Sequence, residues 1–381
     1  MICGLIREPV KFAAYLEGLR RLARPELRVV FSTWSGELAQ YPEIAERLAA
    51  IGADIVEQDQ PDLKLPGHML HQTMTLELGL SRLDDDVFVL KTRPDICGIM
   101  DVHEFLDIVP AMADVGRLGQ PFGHRVHVVG MFGALPLYIN DIIFAGMAGD
   151  LRRMCWLPFI HGVKYPRLAP EQWLWATALQ AAANPVLDVY LSVNPGLIFD
   201  DPARNAALRS VLQTAPLFAR AVAVTAILVR DSLAYFHPDP GCDGIVAECA
   251  EHTLDALLWD RMPIAGLDHH PTAMTNTFLS AGLMASVHDG VYRPSPFGDR
   301  VQQAMARYGE PGGREALQRD RPMIATEGAA LAAGLRDRVD ISVGRGPSPW
   351  TLAETGAGYA ASLETEINHL RRIVEQLQSR L

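Results

Sequence analysis

Cysteine is scarce in this sequence, and its spacing suggests no pairs. Five occur, Cys3, Cys97, Cys155, Cys242 and Cys249, an odd number at scattered spacings. That excludes a disulfide framework as the expected scaffold and fits free thiols in a reducing compartment. No Cys-x-x-Cys is present, so a structural zinc site has no support. Clustered positive charge is missing too. The formal net charge is −11 with no basic run, which argues against a nucleic-acid partner, because neutralising phosphates takes grouped Lys and Arg. No apolar run approaches the roughly 18 residues of a membrane span, so no transmembrane segment is expected. Met1-Ile2-Cys3-Gly4-Leu5-Ile6-Arg7 lacks the basic region and cleavage site of a signal peptide. The expected location is the cytoplasm. Two nucleotide motifs are also absent. Without Gly-x-Gly-x-x-Gly after a strand, and without Gly-x-x-x-x-Gly-Lys-Ser/Thr, dinucleotide oxidoreductases and P-loop NTPases lose their usual signature.

What is present is an ordinary globular balance, 49% hydrophobic and 21% charged over 381 residues, enough for about two domains. Strand and helix patterns alternate from the start. Ile2–Ile6 reads as a strand, and Phe12, Tyr15, Leu16, Leu19 and Leu22 line one face of a helix. Arg28–Thr33 is a second strand, Tyr41–Gly52 a helix, Asp54–Glu57 a third strand and His68–Leu83 a longer helix. Val87–Leu90 is a fourth strand. Four repeats of this alternation predict an α/β fold with a mostly parallel, helix-covered, Rossmann-like sheet.

The stretch with most chemistry is Asp84-Asp-Asp-Val-Phe-Val-Leu-Lys-Thr-Arg-Pro-Asp95. Its apolar run reads as a strand buried on both faces. Lys91, Arg93 and Asp95 then emerge where open α/β sheets bind ligands, beyond the carboxyl ends of the strands. Two cations and a carboxylate suit a phosphorylated ligand: Lys and Arg pair with phosphate, and Asp can hold a divalent ion on it. The plainer reading is a solvated ion pair at a strand end, stopped by Pro94.

Three blocks carry a family resemblance: Phe31-Ser-Thr-Trp-Ser-Gly-Glu37, the helix with His71-Gln72-Thr73 and Gly79-Leu80, and Val89-Leu-Lys-Thr-Arg-Pro-Asp95. In that order and spacing, residues 1–195 resemble the WavE-type bacterial lipopolysaccharide and capsule glycosyltransferases. The resemblance implies a GT-A-like fold, a nucleotide-sugar donor lying across the carboxyl ends of the sheet, and a glycan or lipid-linked glycan acceptor. It also implies a cytoplasmic enzyme, one that can sit peripherally at the inner membrane. Arg7, Thr33, Trp34 and Gln72 would lie where nucleotide contacts form, with Lys91, Arg93 and Asp95 at the diphosphate. Arg93 stands where the usual Asp-x-Asp has its first carboxylate, which leaves Asp95 alone as the metal candidate for Mn²⁺ or Mg²⁺ bound with the nucleotide. A guanidinium there can itself neutralise diphosphate charge.

Further along, Val102–Val109 reads as a helix, His124–Val129 as a strand, and Tyr138–Gly146 as a strand leading to a helix start at Asp150–Met154. Pro170-Glu171 has the form of a helix's first turn. The resemblance makes Glu171 the catalytic base. The alternatives are a Glu that only favours a helix N-terminus, and Asp141 as the base; Asp141 also fits an Asn-Asp turn. Asn194-Pro-Gly196 marks a boundary. Residues 196–350 are expected to be a mainly helical acceptor-side region, with Ala206–Leu233 helical and Arg293–Trp350 dominated by loops. In residues 360–381, Leu363, Ile367, Leu370, Val374, Leu377 and Leu381 form a short a/d seam. It reads as a coiled-coil-like helix joining a homo-oligomer, or as a terminal helix packed on its own domain.

Two other functions compete. The first is a non-catalytic nucleotide-sugar binder or glycan-assembly protein using the same sheet. The second is a DHH-like metal phosphoesterase, suggested by His237-Pro-Asp-Pro-Gly-Cys-Asp243 and by Asp268-His269-His270. A gap too short for the intervening strands, and no second aspartate motif within it, count against the phosphoesterase.

Overall fold

The computed structural model describes residues 1–22, 24–61, 69–95, 105–106, 108–114, 116–128, 136–139, 141–155, 165, 168–195, 202–235, 285–288 and 291–340. The C-terminal seam at 360–381 lies outside the described residues, as do His237, Asp243 and Asp268–His270.

The first half builds the predicted α/β unit. β1 (Ile2–Cys3), β2 (Val30–Trp34) and β3 (Asp54–Gln58) form a parallel sheet in the order β1-β2-β3. The helices α1 (Pro9–Leu22), α2 (Pro42–Ala50) and α3 (Met69–Leu80) follow those strands in turn. β4 (Phe88–Lys91), β6 (Phe144–Met147), β5 (Val126–Val128) and β7 (Leu233–Tyr235) form a second group in the order β4-β6-β5-β7. The groups join through a parallel bridge between Ile2 and Thr92, where Cys3 N–H donates to Thr92 O at 3.0 Å and Thr92 N–H to Met1 O at 3.0 Å. One sheet results, ordered β3-β2-β1-β4-β6-β5-β7. β6 runs against both β4 and β5, while β5 and β7 are parallel.

Period-two alternation along β2 shows how both faces are covered. Phe31 packs in one cluster with Phe12 and Leu16 of α1 and Ile44 and Leu48 of α2. Val30 falls in the larger cluster with Leu76 and Leu80 of α3, and the Ser32 hydroxyl donates to Thr75 O of the same helix at 2.7 Å. Gly79 lets α3 approach this closely, since a Cβ there would meet Met1 Sδ at 2.6 Å and Ser32 Cβ at 3.3 Å. Gly4 turns the chain off β1 at φ 114, a backbone conformation that favours glycine.

Several strands are shorter than the apolar patterns predicted. β1 stops at Cys3, because Gly4 turns there. The predicted strand from Tyr138 contributes pairing only from Phe144 to Met147. Val102–Val109 is described as helical only at 105–106. The expected boundary near residue 195 does not divide the sheet, for β7 comes from beyond it and pairs with β5.

The expectation of a loop-dominated segment after Arg293 is overturned up to Asp340. A hairpin of β8 (Ala285–His288) and β9 (Val291–Pro294) leads into three helices, α9 (Pro296–Tyr308), α10 (Gly313–Arg319) and α11 (Arg321–Val339). Proline misled the reading because it serves here as a start signal. Pro296 occupies the first turn of α9 and Pro322 that of α11, positions where the missing N–H costs nothing. The short α4 (Ala148–Leu151) follows β6 directly, whereas the same device opens α5 (Pro170–Ala178), α6 (Pro185–Ser192), α7 (Pro202–Thr214) and α8 (Pro216–Ser232).

Helix ends are finished by arginines from elsewhere in the chain. Arg204 donates to Val339 O and Asp340 O at the end of α11, Arg117 to Gly309 O after α9, and Arg125 to Arg230 O and Leu233 O at the end of α8. Arg152 does the same for α3. It bonds Leu80 O at 2.6 Å and also Leu83 O, and pairs with Asp85 in the aspartate turn before β4. A guanidinium there satisfies orphan carbonyls and complements the helix dipole. Arg152→Ala should therefore cost about 1.5–3 kcal/mol, the range for hydrogen bonds to a charged group. Urea unfolding of the variant measures it, and a loss under about 0.5 kcal/mol would mean the cap contributes little.

Among the described residues, no single helix is long and apolar enough to cross a membrane.

Candidate functional site

Four parallel strands end on one edge of the sheet, at Cys3, Trp34, Gln58 and Lys91. From β1 the chain winds outward through β2 to β3 and then crosses back to β4 on the other side of β1. That reversal makes a topological switch point between β1 and β4, where open α/β sheets leave a crevice. β6 is antiparallel and pairs Phe144 with Lys91, so the residues before it, Asp141–Ile143, reach the same edge.

Arg93 and Asp95 follow β4 beyond this edge and form a two-point fork, with Nε to Oδ1 at 3.0 Å and Nη2 to Oδ2 at 2.5 Å. Both stay partly open, at 23% and 16% side-chain exposure. Lys91 behaves differently. Its side chain is buried, and its ammonium donates to Asp141 O at 2.7 Å and Ile142 O at 3.0 Å, 5.0 Å from the Phe144 ring centre. Burial pushes its pKa down, and nearby Asp141 and Cys3 oppose that shift. The sequence suggested a phosphate contact for Lys91; in the fold, two backbone carbonyls of the β6 approach hold its ammonium.

Glu171 lies in the first turn of α5, close enough to Asp141 and Arg93 to feel their charges. Burial pushes its carboxyl up to about 7, the negative charge of Asp141 pushes the same way, and its own backbone hydrogen bond and Arg93 pull partly back. Asp141 itself is 3% exposed. The fold thus brings Lys91, Arg93, Asp95, Asp141 and Glu171 to one end of the sheet, although 80 residues separate the first and last in sequence.

Sequence reasoning missed what holds Glu171. The next residue, Gln172, is fully enclosed and bonded at both ends of its amide. Its Oε1 accepts from Ala169 N–H at 3.3 Å and from Asn194 Nδ2 at 3.2 Å, and its Nε2 donates to Pro136 O at 2.9 Å. Beside that carbonyl, buried Leu137 sits at φ 62, a conformation a branched residue adopts only when its surroundings impose it. The available signal was the Gln three residues after Ala169, half of a capping box.

The other predicted contacts are distributed less favourably. Thr33 and Trp34 end β2 beside the crevice, but both side chains are buried. Thr33 Oγ1 donates to Gly4 O at 3.0 Å, and the Trp34 ring packs edge-on against His71 at 5.4 Å. Gln72 is half-buried in the first turn of α3, and Arg7 is exposed after β1. Glu37, the last residue of the Ser-Thr-Trp block, accepts Ile6 N–H at 2.7 Å and so ties the β1 loop to the β2 loop.

The chain's own donors do not fit a resident divalent ion. Both oxygens of Asp95 face Arg93, and among the described residues no three His, Cys, Asp or Glu side chains are grouped to hold a metal.

Comparison with protein-family models, with curated proteins and with solved structures finds no match to this chain.

Proposed function

We propose that this chain is a GT-A-like glycosyltransferase that moves a sugar from a nucleotide-sugar to a bacterial surface-glycan acceptor. The observation that carries the reading is Glu171, a carboxyl pushed up to about 7 by burial and the charge of Asp141, near the Arg93–Asp95 fork at a strand-order switch point. A carboxylate poised near neutrality is matched to general-base work, and paired acids in one cleft are a recognised functional signature. In the transfer, Glu171 takes the proton of the acceptor hydroxyl. The acceptor oxygen bonds to the anomeric carbon, the carbon–oxygen bond to the diphosphate breaks, and nucleoside diphosphate leaves. Arg93 turns from Asp95 to the diphosphate and stabilises the charge that develops there.

Support also comes from the layout of the sheet, whose parallel strands end together as a nucleotide-sugar site requires, and from the Ser-Thr-Trp and Lys-Thr-Arg-x-Asp blocks. The deciding experiment offers the protein a panel of nucleotide-sugars with glycan acceptor extracts and measures nucleoside diphosphate released. Release that depends on acceptor is expected. Tight binding with no turnover on any donor would instead make the chain a nucleotide-sugar binder.

Arg93 gives a separate test. Arg93→Ala should weaken nucleoside diphosphate binding by about 1.5–3 kcal/mol, as for a lost charge-assisted hydrogen bond. Calorimetry reads this directly, and unchanged affinity in a folded variant would remove Arg93 from the phosphate site.

A further inference from the structure

We infer that Lys91 is a positioning residue: its buried ammonium fixes the Asp141–Ile142 backbone so that Asp141 closes the site against Glu171. The inference rests on the glycosyltransferase reading only for its purpose, and its geometry stands alone. Lys91 ends β4 with a 4% exposed side chain. Its two bonds, 2.7 Å to Asp141 O and 3.0 Å to Ile142 O, reach over 50 residues along the chain to the segment entering β6. The register of β6 with β4 begins at Phe144, just after this segment. The ammonium ties these two backbone carbonyls to the end of β4, where the strand register stops. The Phe144 ring, 5.0 Å from Nζ, walls off the remaining side.

The charged and titratable groups around this point are Cys3 from β1, Arg93 and Asp95 after β4, Asp141 before β6 and Glu171 on α5. Losing Lys91 acts on Glu171 in two opposite ways. Removing a cation from the neighbourhood favours the protonated carboxyl and raises its pKa. Releasing the Asp141 segment moves a carboxylate away and admits water, and both lower it. The sign of the change therefore separates a positioning role from simple charge.

The test titrates ¹³C-labelled glutamate side chains by NMR in the free protein, with the Glu171 signal identified by its loss in Glu171→Gln. In Lys91→Met, which keeps the length and apolar stem, the Glu171 midpoint should fall by about one pH unit or more, a tenfold loss of proton affinity. A rise would mean that Lys91 acts through charge alone. An unchanged midpoint in a folded but less stable variant would make it a core residue with no hold on the site. Either result overturns the inference. If Lys91→Met does not fold, Lys91→Gln, which retains a donor for one carbonyl, should give a smaller fall, and the same two results would overturn it. No sugar transfer is needed for this readout, so the inference and the proposed activity fail separately.

Discussion

Glu171→Gln is expected to leave donor binding intact and to lower kcat by roughly 10²–10⁴-fold, the range for losing a positioned general base. The amide keeps the shape of the side chain. Gln172, which holds the start of α5 through Ala169, Pro136 and Asn194, is untouched. The change therefore removes a proton acceptor and little else. The wild-type pH profile should carry the same group. With Glu171 held up to about 7 by burial and by Asp141, the base is protonated below neutrality. Transfer should fall about tenfold for each pH unit below that point and level off above it. Glu171→Gln should lose this limb as well as the rate. Should Glu171→Gln turn over normally while Asp141→Asn is inactive, the two acids exchange roles. Should both variants keep full rates, the site is not where the chemistry occurs.

Much of this was legible in the sequence, and the omissions have physical causes. The α/β alternation was visible because strands two to five residues long are separated by amphipathic helices, and burial writes both periods into the chain. The seven-strand order was not visible. The reversal at β6 is set by pairing with β4, far back in the chain, and the parallel pairing of β5 with β7 joins Val126 to Leu233; no local pattern records either. Lys91, Arg93, Asp95, Asp141 and Glu171 could each be picked as candidates, yet their roles depend on neighbours. A lysine at a strand end looks like a phosphate ligand until the fold places two carbonyls on its ammonium. Thr33 and Trp34 show the same dependence on the fold: both lie buried at the carboxyl end of β2, as a polar or amphipathic residue there can. The Pro- and Gly-rich stretch after Arg293 read as loop because composition was given more weight than position. Proline in a helix's first turn and glycine at its edge are helix punctuation.

The second large effect is on stability, and it runs opposite to the effect on rate. A glutamate in the unfolded chain titrates near 4.5, and in the fold Glu171 titrates at about 7. The folded state thus holds this proton more tightly than the unfolded one. The stabilisation this gives is fully present below about pH 4.5. It is lost progressively as pH rises, until the folded group ionises at about 7. Above that point the protein carries a charged, mostly enclosed carboxylate beside Asp141, at a cost of up to about 3 kcal/mol relative to the acid limb, less whatever water at its exposed part recovers. Glutamine has no charge to enclose. Glu171→Gln should therefore match the wild type near pH 4.5 and exceed its stability increasingly up to about pH 7, with a plateau beyond. Denaturant unfolding of both proteins at pH 5, 6, 7 and 8 would trace this divergence. Parallel curves would mean that Glu171 titrates normally in the fold, and would remove the poised base on which the transfer chemistry depends. A gain in stability together with a loss of rate is what a site residue maintained for chemistry should show, because a residue kept for packing alone loses stability when replaced.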